Sequence, residues 1–365
     1  MDVYPYQCPD WAKCLSPTPT HRLKLANERT PIHRWELSGI PAGFELSIKR
    51  DDMTGCLLSG NKVRKLDFLL AEALKQKCRH VITCGDVHSN HCRATVVAAR
   101  RLGLTPHLIL RDDVHKTSVR GCSGNEFFTR LCGPNIYRVP LGSPYSSVSK
   151  PMMEKVAKEI KKESGDDSYI IPVAGGSSFP GVFGLISTFE EMISQGLLDN
   201  YDDLVFPCSS GCTAAGMGIS NYLTGSNIRC HAINVTEIPK SNFLQHINQT
   251  IVDMGLPDRV KADNIVDIIE GHQGKGYNIS TQEELDFLSS VAVTTGIMLD
   301  PTYSGKAALG MVRELNNNQH RFKGNRILFL HTGGVFGMYN VQLDTKTTAE
   351  TRDEVKLCKY LIPYN

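Results

Sequence analysis

Short apolar runs alternate with amphipathic stretches along this chain. The runs at 80–83, 107–110, 135–139, 169–173, 204–206, 230–235 and 327–330 have the length and apolar content of buried strands. Between them, 65–77, 92–102, 124–131, 151–163, 213–223 and 305–315 carry apolar residues at helical spacing, which predicts helices with one face turned to a core. This alternation predicts an α/β chain of parallel sheets covered on both sides. No internal repeat is visible, and the Gly/Ser/Pro clusters at 174–181 and 207–211 are too short for linkers, so they read as turns at strand ends. The first 20 residues and the Thr-, Lys- and Glu-rich stretch after Gln342 are the segments expected to pack least tightly.

Composition narrows the function class without naming it. A chain of 365 residues suggests two domains of ordinary size. The hydrophobic share of 41% and charged share of 21% are those of a globular protein. Net charge is +2 and no basic run is long enough to track phosphates, so nucleic acid is not an expected partner. No apolar stretch approaches bilayer length, and residues 1–20 lack a basic and apolar leader; no membrane partner is expected, and the cytoplasm is the expected compartment. The 12 cysteines are scattered from Cys8 to Cys358 without a CxxC pair, which predicts reduced thiols. Cys208 and Cys212 have no second pair or histidine to complete a zinc site, so no metal is expected.

Candidate chemistry sits at the ends of the predicted strands, where open α/β sheets bind ligands. In Ser59-Gly60-Asn61-Lys62, a lysine stands in a small polar turn just before a helix. Lysines are mostly solvated charges, but an imine-forming lysine needs a partly desolvated site and close backbone approach, which Gly60 allows. Ser89, Asn90 and His91 follow a strand and open a helix. Their plain reading is a helix cap; their functional reading is a carboxylate site at the positive end of the helix. Residues 208–216, Cys-Ser-Ser-Gly-Cys-Thr-Ala-Ala-Gly, form a turn whose backbone N–H groups and Ser210 and Thr213 hydroxyls can wrap a phosphate. The ending of a P-loop and the GxGxxG pattern are both absent, which disfavours nucleotides and nicotinamides. Asp300 to Lys306 and His331 to Gly334 are turns by themselves; together with the others they add hydroxyls to a common cleft.

At these clusters the sequence resembles the D-cysteine desulfhydrase and 1-aminocyclopropane-1-carboxylate deaminase family of fold-type II pyridoxal phosphate enzymes. The likeness runs from about Pro31 to Tyr339 and rests on SGNKVRKLDFLLAEA, HSNHCRATVVAARRLG, GNEFFTRLCG, SSGCTAAG, LDPTYSGKAALGM and HTGG in the family's order. It implies a tryptophan synthase β-like fold of two open, twisted, mostly parallel sheets flanked by helices, with pyridoxal 5'-phosphate in the cleft between a larger domain (1–64 and 176–365) and a smaller one (65–175). A homodimer is implied as well.

By the same resemblance, Lys62 is the Schiff-base lysine and Asn90 the partner of the cofactor's phenolic oxygen. Ser209, Ser210, Gly211, Cys212 and Thr213 form the phosphate cup. Ser89, Asn90 and His91 meet the substrate carboxylate, Ser89 also being able to move a proton. Tyr277 and Tyr303 flank the substrate, and Ser304 and Thr332 stand at the pyridine nitrogen. Deaminases of the family typically carry Glu and Leu at those last two positions, so the hydroxyls here point to β-elimination of D-cysteine. Asp86, Val87 and His88 depart from the usual Gly-Ile-Gln and leave substrate preference open between D-cysteine, the cyclopropane substrate and racemase or ammonia-lyase chemistry. A non-catalytic amino-acid binder would need neither Lys62 nor a phosphate cup.

Overall fold

The computed structural model describes residues 2–112, 123–176 and 179–339. Two main sheets organise them. One has six strands in the order Asp267–Ile269, Arg229–Asn234, Asp203–Cys208, Arg326–His331, Glu45–Arg50 and Ile32–Arg34. All its neighbours are parallel except the last pair, Ile32–Arg34 against Glu45–Arg50. The other has four parallel strands in the order Asn135–Pro140, Thr105–Asp112, His80–Asp86 and Ser168–Ile170. A short antiparallel pair, Tyr4–Pro5 with His21–Arg22, stands apart.

Both main sheets are buried on both faces, because successive side chains of a strand point to opposite sides. Leu204 and Phe206 face one core with Leu328 and Leu330, while Val205 faces another with Ile327 and Phe329. In the smaller sheet Val81 faces one cluster, and Ile82 and Ile109 another. Helix Asn61–Lys75 joins the two sheet systems: its Phe68 lies in the larger core and its Val63, Leu66 and Leu70 in the smaller. Gly184 on helix Phe183–Ser194 lets the two helices touch, since a Cβ there would lie 2.3 Å from the Arg64 carbonyl oxygen.

Every strand and helix expected from the pattern is present, with shifts at the ends. The run at 169–173 is extended only to Ile170, after which Val173–Gly175 turns with Ala174 at φ 54°. Strands Ile32–Arg34, Glu45–Arg50 and Asp267–Ile269 and helices Phe183–Ser194, Lys240–Asp253 and Gln282–Thr295 were not expected. Residues 2–20 are mostly exposed, as expected of a loosely packed segment, but Ala12 and Leu15 are buried in the main core with Tyr6 and Trp11 against it. The stretch after Gln342 and part of the 174–181 cluster lie outside the described residues. Among the described residues no helix is long and apolar enough to cross a membrane, and no cluster has a metal-ligand set.

Candidate active site

Helix Asn61–Lys75 starts where the chain turns at Gly60, φ 95°. This glycine serves a backbone contact: a Cβ would lie 2.8 Å from the Thr332 oxygen, and the Asn61 N–H donates to that oxygen at 3.1 Å. The turn bearing Lys62 is thereby fixed to the turn at the end of strand Arg326–His331. Arg64 anchors the first helical turn from below, donating to Asp51 at 2.9 and 2.7 Å and to Glu191 at 2.8 and 2.9 Å. Lys65 is fully buried, its Nζ donating to the Ala174 oxygen at 2.8 Å and to the Gly176 oxygen. Lys62 differs. It lines a cleft of about 580 Å³ and its ammonium makes no hydrogen bond or ion pair among the described residues. Burial lowers its pKa, so proton loss from Nζ is easier than from a solvated lysine.

A second wall comes from the step between strand His80–Asp86 and helix Asn90–Arg101. Ser89 caps that helix, its Oγ accepting the Cys92 N–H at 3.2 Å, and also lines the cleft. Cap and ligand wall are therefore one feature. Asn90 Oδ1 accepts from Asn125 Nδ2 at 2.9 Å. His91 meets Thr83 Oγ1 at 2.9 Å through Nε2, while its buried Nδ1 has no partner among the described residues. Burial, then Lys62 and Lys65, push its pKa well down, so the ring is neutral at pH 7. Asp86 and Arg111 also line the cleft, whereas His88 does not.

The third wall is the turn between strand Asp203–Cys208 and helix Cys212–Leu223. Gly211 adopts φ 78°, the left-handed region, and a Cβ there would approach His246 Cδ2 to 3.0 Å. The amides of Ser209 and Ser210 make no hydrogen bond among the described residues, and Thr213 Oγ1 accepts from Asn61 Nδ2 at 3.1 Å. Opposite, the Tyr277 and Tyr303 hydroxyls are 2.6 Å apart. Burial holds Tyr277 up at about 12 and Tyr303 above its usual range, so both are neutral phenols at pH 7. Glu237 Oε1 accepts the Tyr277 N–H at 3.0 Å.

Lys62, Ser89, Asn90, His91, Ser209, Ser210, Gly211, Thr213, Tyr277, Tyr303 and Thr332 thus share one cleft. Cys212 and Ser304 are not on its wall. Cys212 is buried with its sulfur 3.9 Å from His246 Nε2; burial raises its pKa, but Lys65, that contact and Lys62 bring it down to about 5. Ser304 Oγ donates to Asp300 Oδ1 at 2.6 Å and accepts the Asp300 N–H at 2.8 Å, in a fully buried position. Sequence reasoning missed Asn61, Arg111, Glu237 and His246 as cleft residues. Asn61 was legible as the lysine's neighbour; His246 lies mid-helix in no motif.

This donor set fits a phosphorylated aldehyde. Among the described residues, a glycine-led turn has free amides for the phosphate, an unpaired desolvated lysine faces the cleft, and a buried imidazole nitrogen lacks a partner. The cleft volume lies within the roughly 300–1,000 Å³ usual for small-molecule sites. Fold and site together define an enzyme that carries such a cofactor on a lysine. The chain belongs to the pyridoxal-phosphate dependent enzyme family, whose model matches residues 23–333, and it uses pyridoxal 5'-phosphate. It is 43% identical over 341 residues to a mitochondrial bifunctional D-cysteine desulfhydrase/1-aminocyclopropane-1-carboxylate deaminase of Arabidopsis thaliana, covering 92% of this chain and 84% of that protein. A crystal structure of an ACC deaminase homologue superposes with a TM-score of 0.77 at 30% identity, covering 91% of this chain and 97% of the other. At 17% identity, the O-acetylserine dependent cystathionine β-synthase of Helicobacter pylori shares the fold, with a TM-score of 0.61 over 86% of this chain and 95% of its own.

Proposed function

We propose that this enzyme eliminates the β-substituent of a small amino acid, D-cysteine being the substrate, to give pyruvate, sulfide and ammonium. The carrying observation is the contrast between two lysines one helical turn apart: Lys65 is held by two carbonyls, while Lys62 is unpaired among the described residues, desolvated and open to the cleft. In this reading Lys62 holds the cofactor and Asn90 bonds its phenolic oxygen. The turn 209–213 takes the phosphate, and Thr332 lies at the pyridine ring. When bound, the cofactor supplies an electron sink for the charge left on Cα.

The protein's own groups do the rest. Ser89, Asn90 and the amides of helix Asn90–Arg101 receive the carboxylate, aided by the positive helix end. The Lys62 amine, its pKa lowered by burial, takes the α-proton at Nζ. The Tyr277–Tyr303 pair is a chain of neutral phenols that can donate a hydrogen bond to the departing sulfur. Ring opening of 1-aminocyclopropane-1-carboxylate is the second reading, favoured by the names of the Arabidopsis relative and the superposed homologue. The reading includes a homodimer, a cytoplasmic location and the division into 1–64 with 176–365 and 65–175. Pyruvate and α-ketobutyrate are measured from D-cysteine, L-cysteine and the cyclopropane acid. Pyruvate from D-cysteine in excess is expected; α-ketobutyrate in equal or greater yield overturns the choice.

A further inference from the structure

The tyrosine end of the cleft holds a charge that the proposed elimination of D-cysteine does not use. Arg111 lies at the carboxyl end of strand Thr105–Asp112, half-buried, and lines the cleft. Its guanidinium makes no hydrogen bond or ion pair among the described residues. Asp86 is its register partner on the next strand and lines the same cleft, yet no ion pair within 4.0 Å joins them. The Asp86 carboxylate instead accepts the His88 N–H at 3.0 Å within its own turn. Glu237 is likewise occupied by the Tyr277 amide. With Lys62 committed to the cofactor, Arg111 is an arginine left facing the cleft without an ion-pair partner among the described residues.

A guanidinium is never neutral at physiological pH, and its planar fork matches carboxylate and phosphate oxygens. Leaving one half-buried and unpaired costs free energy that a bound anion restores. The cofactor phosphate has its own turn at residues 209–213, and the α-carboxylate has the end of helix Asn90–Arg101. We infer that Arg111 selects amino acids whose side chain ends in an anion, a carboxylate or phosphate on the β-carbon, and that Asp86 sets how strongly. This rests on the elimination reading for the place of the α-carboxylate. For O-phosphoserine the reaction balances with one water: the Cα proton passes to Lys62, the Cβ–O electron pair leaves with phosphate, and hydrolysis of the enamine yields pyruvate and ammonium.

The test is calorimetric binding of serine and O-phosphoserine, in both configurations, to the cofactor-loaded enzyme, with pyruvate release followed in parallel. Wild type is expected to bind O-phosphoserine about tenfold or more tightly than serine, equivalent to about 1.4 kcal/mol. Arg111→Gln should erase that ratio while serine affinity stays within about twofold, and Asp86→Asn should enlarge it, because a repulsive charge is removed. An equal loss for serine and O-phosphoserine in Arg111→Gln overturns the inference, since Arg111 then serves the α-carboxylate or the fold. Absence of a wild-type preference, or a smaller ratio in Asp86→Asn, overturns it as well. If the preference and its loss are seen but no amino acid gives pyruvate, the inference stands and the elimination reading falls. Pyruvate from D-cysteine without any charge preference separates the two the other way.

Discussion

Glu191→Gln tests whether the ion cluster beneath Lys62 positions the site. Glu191 is half-buried between Lys49 and Arg64, pairing with both; Arg64 also pairs with Asp51 at 2.7 Å. Although burial raises its pKa, Arg64 first and then Lys49 hold the Glu191 carboxyl down to about 2, against an ordinary value of 4.5. At 1.36 kcal/mol per pH unit that is about 3 kcal/mol, which partial solvent screening reduces to about 2–3. The figure lies at or below the lower end of the roughly 3–5 kcal/mol lost when one member of a fully buried pair is removed, as fits a half-buried carboxylate. The sign follows from the depressed pKa: the contribution is whole above pH 4.5 and is lost as pH falls towards 2. Urea unfolding followed by circular dichroism at pH 7 and pH 3.5 measures it. The variant should lose about 2–3 kcal/mol at pH 7 and show a shallower decline on acidification. Because Arg64 is two residues from Lys62, cofactor retention should fall too. A loss under about 1 kcal/mol at pH 7, or an unchanged acid slope, refutes the argument.

Lys62→Ala should abolish the yellow absorbance of lysine-linked cofactor while circular dichroism is retained. A colour that survives there and vanishes in Lys65→Ala would reverse the assignment. Gly211→Val should raise the cofactor dissociation constant at least about tenfold, because a β-branched residue resists φ 78° and its Cβ meets His246 at 3.0 Å; fluorescence titration with pyridoxal phosphate reads this, and an unchanged constant means the phosphate lies elsewhere. Tyr303→Phe should lower pyruvate formation and leave cofactor absorbance intact, so loss of colour would make the phenol a cofactor ligand instead.

Much of the fold was legible because both main sheets are covered on both faces. Strands such as Asp203–Cys208 and Arg326–His331 are almost wholly buried and read as plain apolar runs. Glu45–Arg50 was not legible. It alternates Leu46 and Ile48 with polar residues, and its Lys49 is completely buried only because Glu191, Gln195 and the Thr30 oxygen receive the ammonium. No local pattern announces partners nearly 150 residues away. Helix Phe183–Ser194, by contrast, was legible but unread: Leu185, Ile186, Phe189, Met192 and Ile193 share one side, and Ser187, Glu190, Glu191 and Ser194 the other. In the cleft, residues borne on turns were readable because turns need particular residues. Arg111 and His246 were not, because each belongs to an ordinary element and acquires meaning only from what faces it.

Ser304 has a different physical role from the one its sequence position suggests. It was read as a neutral hydroxyl beside the pyridine ring, but its oxygen is engaged by Asp300, whose carboxylate also accepts the amides of Thr302, Tyr303 and Ser304 at 3.0, 2.9 and 2.7 Å. Burial raises the Asp300 pKa, against the lowering effect of those hydrogen bonds. A glutamate at 304 would bring a second carboxylate against Asp300 in a fully enclosed position, where two like charges cannot both ionise cheaply. The surroundings of residue 304 are therefore built for a small hydroxyl that donates to a carboxylate, and the glutamate of the deaminase branch cannot be installed by one substitution. Thr332 lies on the cleft wall, beside Gly333 and Gly334, and can change without that penalty. Under the proposed elimination, the closed Asp300–Ser304 arrangement would act from behind the wall, and Thr332 would be the part that substrate chemistry feels directly.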